Sequence, residues 1–488
     1  MKVLLIHPPW YRLLGGEFSG VPLGLSYLAG ALERGGHDVK VYNADMVKAG
    51  LGLPPDTLPD ETYINYKHAL SDLNDPIWGE IRSTLADEKP DVVGISVRTP
   101  HYPSALNVSR MVKELSPKIP VIWGGVHPTI MPAECLTNGD VDFVVRGEGE
   151  YTLTELLKNL GSPDKVPGIS YKRDNDVVHN SDRPLVQNLD EIPYPARDRI
   201  IGYERMQPEA FGHLFATRGC PYQCTFCASH WIWSRRVRYR TIANIVDEII
   251  SVKKKYKTSR FIFEDDSFTV NRKFVEDFCN AVIDMKLGIT WRCETRVDLV
   301  NPQLIALMKR SGLDEISLGI ESGSANSLKR IKKGITVEQV RNAVKVIKAA
   351  RLRFGAFFII GFPWETKEDI NATLDLIQEV DADVLGLNMA TPYPGTEVYE
   401  ICKSEGLLSE NVDYGSFFFV SPDVCLSKKI PREEMLEIVN RSQHMMERHN
   451  RKKFRQLVLK HPLYALKRFI SGKYYYPGSL KAILRQLR

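Results

Sequence analysis

The sequence is poor in cysteine and has no long apolar run. Its 488 residues carry eight cysteines, five of them scattered. That excludes a disulfide scaffold and suits a reducing compartment, with a metal or redox role for the three that cluster. The most apolar stretch, around Phe354–Phe362, is about half the length that crosses a bilayer. Lys2-Val3-Leu4-Leu5-Ile6 runs into Pro8 and Pro9, too short for a secretory leader, so a cytoplasmic protein is expected. A large net charge is also absent: the formal value is +5, which argues against a general nucleic-acid binder. The chain's end differs. From Arg451 onward there are eleven Lys or Arg and no Asp or Glu. Such a tail fits a peripheral membrane contact, an anionic partner or a solvated helix.

What is present is a regular alternation of strand and helix signals. In the first part, apolar strands at Val3–His7, Val39–Tyr42, Asp91–Val97, Val121–Trp123 and Phe143–Val145 are separated by helical patterns, among them Leu23–Arg34, which stops at Gly35-Gly36. This predicts an α/β, parallel, doubly wound Rossmann-like domain over residues 1–160, with ligands at the C-terminal strand ends. Residues 161–195, rich in Pro, Asp and Asn, read as a small hairpin or linker. A second series over 196–405 offers strands at Leu214–Thr217, Arg260–Phe263, Thr290–Cys293, Glu315–Ile320, Phe354–Ile360 and Val384–Asn388. Its intervening helical segments suggest a (β/α)6 partial barrel. Residues 406–488 are expected to form a mostly helical, basic segment.

The sharpest motif is Cys220-Pro221-Tyr222-Gln223-Cys224-Thr225-Phe226-Cys227. Three thiolates at C-x3-C-x2-C on one loop can hold three irons of a [4Fe–4S] cubane and leave the fourth open to a ligand. The loop follows the first barrel strand, at the end where barrel chemistry sits. The alternative is a zinc site completed by His213 or His230.

This motif, with Phe226 before the last cysteine, resembles the radical S-adenosylmethionine (SAM) superfamily over about residues 210–400. The resemblance implies that the open iron chelates SAM. One electron, from a donor such as flavodoxin or ferredoxin, then yields a 5′-deoxyadenosyl radical. It marks further cofactor-binding positions at successive strand ends. Glu264 and Asp265 stand where the family commonly has Gly-Gly-Glu, though here without the glycine pair. Glu294 and Arg296 end the third strand, and Ser317 and Glu321 lie in the fourth-strand signature. Arg330 is placed to pair with the SAM carboxylate.

The first domain resembles the cobalamin-binding subclass over roughly residues 1–155. The matching residues are His7-Pro8-Pro9, Pro22-Leu23-Gly24-Leu25, Gly94-Ile95-Ser96, Gly124-Gly125-Val126-His127-Pro128 and Arg146-Gly147-Glu148-Gly149-Glu150. Pro9, Leu23, Ser96, Gly124, Gly125, His127 and Glu148 are therefore candidate cobalamin contacts. Gly124 and Gly125 either admit a ligand tail to the backbone or merely serve a turn. The Asp-x-His-x-x-Gly signature of proteins that ligate cobalt through histidine does not follow the first strand. Asp45–Gly50 has its outline, with Val47 in the histidine position. No histidine ligand of that type is expected, and His127 is the other candidate.

The resemblance implies a cobalamin-dependent methyltransferase acting on an unactivated carbon of a small molecule, lipid or pigment. An oxidative cyclase or ring-rearranging enzyme with the same cofactors is one alternative. A non-catalytic cobalamin or iron–sulfur sensor is another. Methylthiotransferases need further N-terminal cluster cysteines, and Cys135 alone precedes the motif. In the last segment, Met435, Leu436, Ile438 and Val439 fit an amphipathic helix. Phe454, Leu457, Val458, Leu463, Leu466 and Phe469 among basic residues, with Tyr474-Tyr475-Tyr476, suggest either packing or a dock for a lipid substrate.

Overall fold

The computed structural model describes residues 1–460 except 17, 19, 47–58, 175 and 418–425. The N-terminal sheet holds β1 (Lys2–His7), β2 (Asp38–Asn43), β3 (Val92–Ser96), β4 (Val121–Gly124), β5 (Phe143–Val145), β6 (Ile169–Arg173) and β7 (Asp176–His179). Their order is β2-β1-β3-β4-β5-β6-β7. The first five are parallel apolar runs covered by helices, as the alternation predicts. The sheet is nevertheless mixed. The 161–195 stretch forms the β6–β7 hairpin, which adds antiparallel to β5. Two helices between β2 and β3, Pro59–Ser71 and Pro76–Glu88, were not expected. Pro76 sits in the first turn of the second, and the Asp75 side chain accepts from Ile77 N at 2.9 Å. Asp-Pro is both a turn signal and a helix start, and here the cap decides.

The next strands are β8 (His213–Leu214), β9 (Thr217–Arg218), β10 (Arg238–Tyr239), β11 (Arg260–Phe263), β12 (Thr290–Thr295), β13 (Leu313–Glu321), β14 (Arg353–Ile360) and β15 (Val384–Met389). Six of them form a parallel sheet in the order β15-β14-β13-β12-β11-β8. Its outer strands do not pair, so this is an open partial barrel. Along β12, Trp291, Cys293 and Thr295 are buried, while Arg292 and Glu294 on the other face look into the lumen. The expected first strand, Leu214–Thr217, splits in two. Ala216 N and Thr217 N donate to the Asp265 carboxylate rather than to a neighbouring strand. The chain then turns so that β9 pairs antiparallel with β10.

Helix Arg432–Lys460 runs beside β15 and buries Met435, Ile438 and Val439. His449 Nε2 lies 2.7 Å from Ala382 O, and Lys453 Nζ pairs with Asp381 at 2.9 Å. The helix thus covers one edge of the open sheet. No helix among the described residues is long and apolar enough to cross a membrane. The side chains of Phe454 and Leu457, and the residues Leu463, Leu466, Phe469 and Tyr474–Tyr476, lie outside what is described, as does Val47. Before that helix, Tyr414 returns to the first domain. Its hydroxyl donates to Glu134 at 3.0 Å, and its ring packs on Tyr102 and His127, with centroids 5.3 and 4.8 Å away.

Candidate active site

The cysteine loop is held from three sides. Gly219 has φ +101°, and a Cβ there would sit 2.4 Å from Arg236 O, so only glycine makes the bend into Cys220. Thr225 N donates to Ile331 O, and Val398 N donates to Thr225 O, both at 3.1 Å. The Tyr222 ring lies 3.7 Å beneath the Arg296 guanidinium, which donates to Lys333 O and pairs with Asp298. Cys220, Cys224 and Cys227 are half-buried free thiols. We expect Gly219→Ala to lower iron per chain at least several-fold after reconstitution, without unfolding the barrel. Iron analysis beside circular dichroism checks this.

Burial pushes the Cys227 thiol up to about 12 and raises Cys220 and Cys224 as well. Three partly buried thiolates therefore need cations. Lys333, buried and 2.7 Å from Glu321, acts on Cys224 in the opposite sense to burial. Among the described residues, His7, Asp45 and His101 are the only His/Cys/Asp/Glu triple with donor atoms all within 4.8 Å. The three cysteine sulfurs do not form such a triple. His213, one proposed zinc partner, lies 2.6 Å from Glu264 instead. Three thiolates on one loop fit three irons of a cubane.

The remaining barrel candidates divide. Glu264, Glu294 and Glu321 lie close enough for their charges to interact. Burial, then Glu264, raises the Glu294 carboxyl, while its backbone carbonyl accepts from Phe268 N at 3.0 Å. Ser317 pairs with Glu294 in register across β12 and β13, on the same lumen face. Glu321, at φ +70°, is spent on Lys333. Asp265 is buried and spent on Ala216 and Thr217, so it braces the approach to the cysteine loop. Arg296 likewise braces the loop through Tyr222. Arg330 is exposed, with its guanidinium 4.5 Å over Trp364, and makes no ion pair with the described residues. Phe226 lies 6.2 Å from Phe362.

In the first domain, Pro9 and Leu23 are buried, and Ser96 is half-buried at the end of β3. Gly125 has φ +105°, and a Cβ would meet Val97 O at 2.8 Å. Its role is therefore the close passage of β4 behind β3. Gly124 has ordinary contacts only. His127 is buried with Nδ1 3.2 Å from Thr99 Oγ1, and burial lowers it to about 3. Glu148 faces the barrel: it accepts from Arg218 and Arg238 at 2.8–3.0 Å and from Val186 N at 2.8 Å. Together with the Glu150–Arg218 pair it forms a buried ionic seam between the domains.

Above the ends of β1, β3 and β4 lies an apolar cavity of about 230 Å³. Trp10, Tyr11, Arg98, His101, Val126 and Ile130 line it from the first domain. Ala228, one residue past Cys227, and Tyr393-Pro394 close it from the barrel. The strand ends of both sheets thus open on one space. Its mostly apolar and aromatic walls suit one flat face of a corrin, whose amide-bearing rim would extend past a cavity of this volume.

The radical SAM superfamily model matches residues 214–377, and the B12-binding domain model matches residues 16–157. An uncharacterized methyltransferase of Pyrococcus horikoshii is 34% identical over 84% of this chain and 84% of its own length. The chain belongs to the cobalamin-binding radical SAM enzymes. The anaerobic magnesium-protoporphyrin IX monomethyl ester cyclase of Rubrivivax gelatinosus is 29% identical over 99% of this chain and 82% of its own. The structure of the radical SAM methyltransferase TsrM from Kitasatospora setae, with cobalamin and a [4Fe–4S] cluster bound, has a TM-score of 0.64. It is 17% identical, covering 83% of this chain and 75% of that one, and it shares the fold. The cofactors of this radical SAM enzyme are a [4Fe–4S] cluster, SAM and cobalamin.

Sequence reasoning missed Lys333, Arg238 and the partners of Glu148. Arg218 carried a signal, because it abuts the cysteine loop. Arg238 and Lys333 carried none, since isolated basic residues look solvated until the fold buries them.

Proposed function

We propose that this radical SAM enzyme transfers a methyl group to an unactivated carbon of an apolar small molecule. The observation that carries this reading is the shared cavity, which reaches from the first domain's strand ends to Ala228 beside Cys227. Bound there, the cluster supplies the electron that opens SAM and the corrin supplies a transferable methyl group. Cys220, Cys224 and Cys227 hold the cluster, and Glu294 and Ser317 offer polar contacts to SAM from the lumen wall. Trp10, Tyr11, Val126 and Ile130 exclude water, which protects a radical from quenching. The methyltransferase relative, similar over most of both chains, supports the same reading.

The oxidative-cyclase reading has one observation in its favour, the cyclase relative aligned over 99% of this chain. Product analysis after anaerobic reconstitution separates the two. Methyl transfer is expected to give S-adenosylhomocysteine and 5′-deoxyadenosine in equal amounts. Deoxyadenosine alone would favour the cyclase.

A further inference from the structure

The last helix, Arg432–Lys460, changes character along its length. Its first half mixes both signs, with Glu433, Glu434, Glu437 and Glu447 beside Arg432 and Arg441. From Arg448 to Lys460 there are six Lys or Arg and no Asp or Glu. Arg448, Arg451, Lys452, Arg455 and Leu459 follow one another at helical spacing, so they share one face within an arc of about 100°. All five are exposed, Leu459 to 82%. The helix docks by its other side, where Met435, Ile438, Val439 and Ser442 are buried and Lys453 turns in to Asp381. Arg448 and Arg455 make no ion pair with the described residues. Arg451 and Lys452 reach Glu447 and Asp381 only at 3.7 and 3.8 Å.

Two ordinary explanations fall short. A solvated helix face interleaves both signs, as the first half of this helix does. Cations that answer the helix dipole belong in the last turn, and Arg448, Arg451 and Lys452 lie two or more turns before it. An apolar recess also adjoins the basic stripe. Ile377, Leu385, Met445 and Met446 help wall a cavity of about 340 Å³, which Arg448 and Lys452 line as well. Cations beside exposed apolar surface suit the interface of an anionic bilayer. Lipid phosphates meet the charges, and apolar side chains enter the acyl boundary. A nucleic acid would use the cations alone and leave Leu459 and the recess in water. The helix is not apolar enough to cross a membrane, so contact of this kind lies along the surface. We propose that this face of the last helix docks on an anionic phospholipid bilayer. Docking there brings the enzyme to the phase in which an apolar small molecule concentrates, but the surface stands independently of the reaction proposed above.

The test is flotation of the full chain with unilamellar vesicles of phosphatidylcholine, alone or mixed with phosphatidylglycerol. Binding is expected to the mixed vesicles only, and it should weaken as KCl screens the charges. Each Lys or Arg near an anionic surface contributes about fivefold to partitioning. Arg448→Gln/Arg451→Gln/Lys452→Gln/Arg455→Gln is therefore expected to lower binding by at least about a hundredfold. Lys254→Gln/Lys286→Gln/Arg310→Gln/Lys345→Gln removes the same charge from exposed positions elsewhere on the barrel, and it is expected to bind as the wild type does. Equal losses in the two variants, or none in the first, would overturn the proposal. So would a wild type that binds neither vesicle, or both alike. Tighter binding of transfer RNA or duplex DNA than of the mixed vesicles, lost in the first variant, would reassign the face and overturn it too. If circular dichroism shows that the first variant does not fold, Arg448→Gln and Arg455→Gln decide singly. Each is expected to lower binding about fivefold, and unchanged binding in both would overturn the proposal.

Discussion

Cys224→Ala is expected to abolish SAM cleavage, by more than about a thousandfold, in a chain that still folds. A group on which the whole reaction depends shows losses of this order or larger when it is removed. The loop fold does not depend on this sulfur. Its backbone is held at Thr225 by Ile331 and Val398, and its Tyr222 ring by Arg296. Iron content should fall with activity, while the urea midpoint of the iron-free chain should hardly move. Cys279→Ser and Cys293→Ser give the contrast. Both residues are buried in the apolar core, so their replacement should alter stability and leave iron binding intact. Residual cleavage in Cys224→Ala at a tenth of the wild-type rate would sink the assignment of this loop as the cluster site.

The second large effect falls on stability. Arg218→Ala should cost about 3–5 kcal/mol, because removing one partner of a buried pair strands the other charge. Arg218 donates to Glu148 at 2.8 Å and to Glu150 at 2.5 Å, and it lies 5.4 Å over Tyr27 and 4.7 Å over Trp233. Glu148 retains Arg238 after the change, whereas Glu150 is left alone. Burial raises the Glu150 carboxyl, but Arg218 outweighs it and the net shift is downward. A carboxylate lowered in the folded state contributes stability above its unfolded value of about 4.3, lost as pH falls through the folded value. The wild type should therefore lose stability below about pH 4 more steeply than Arg218→Ala. Urea midpoints across pH 3–7 read both effects. Arg218→Lys should fall between them, since an ammonium cannot fork between two carboxylates.

The strands and most helices were legible because each carries its own period, as in Leu23–Arg34 and Lys367–Val380, which match the structure residue for residue. The cysteine loop was legible because its ligands are close in sequence. What escaped notice depends on pairs far apart. Asp265 reads as a ligand at a strand end, but it is 48 residues from the Thr217 N–H that occupies it. Glu148 reads as part of a cofactor loop, but it is 70 residues from Arg218 and 90 from Arg238. Spacing reveals a motif only when local geometry brings its members together. His101 illustrates the same limit, since its cavity needs three strands side by side.

Tyr414 has a consequence for the order in which the enzyme can be completed. During synthesis the first domain emerges well before residue 414. Until then the faces of Tyr102 and His127 and the Glu134 carboxylate lack the ring and hydroxyl that cover them. The cobalamin domain therefore reaches its final packing only when the chain has traversed the whole barrel and returned. A fragment ending near residue 160 should fold around its sheet yet expose an aromatic patch, and it should bind hydrophobic dyes that the full chain does not. The late arrival of Tyr414 makes the finished cofactor pocket a product of both ends of the polypeptide.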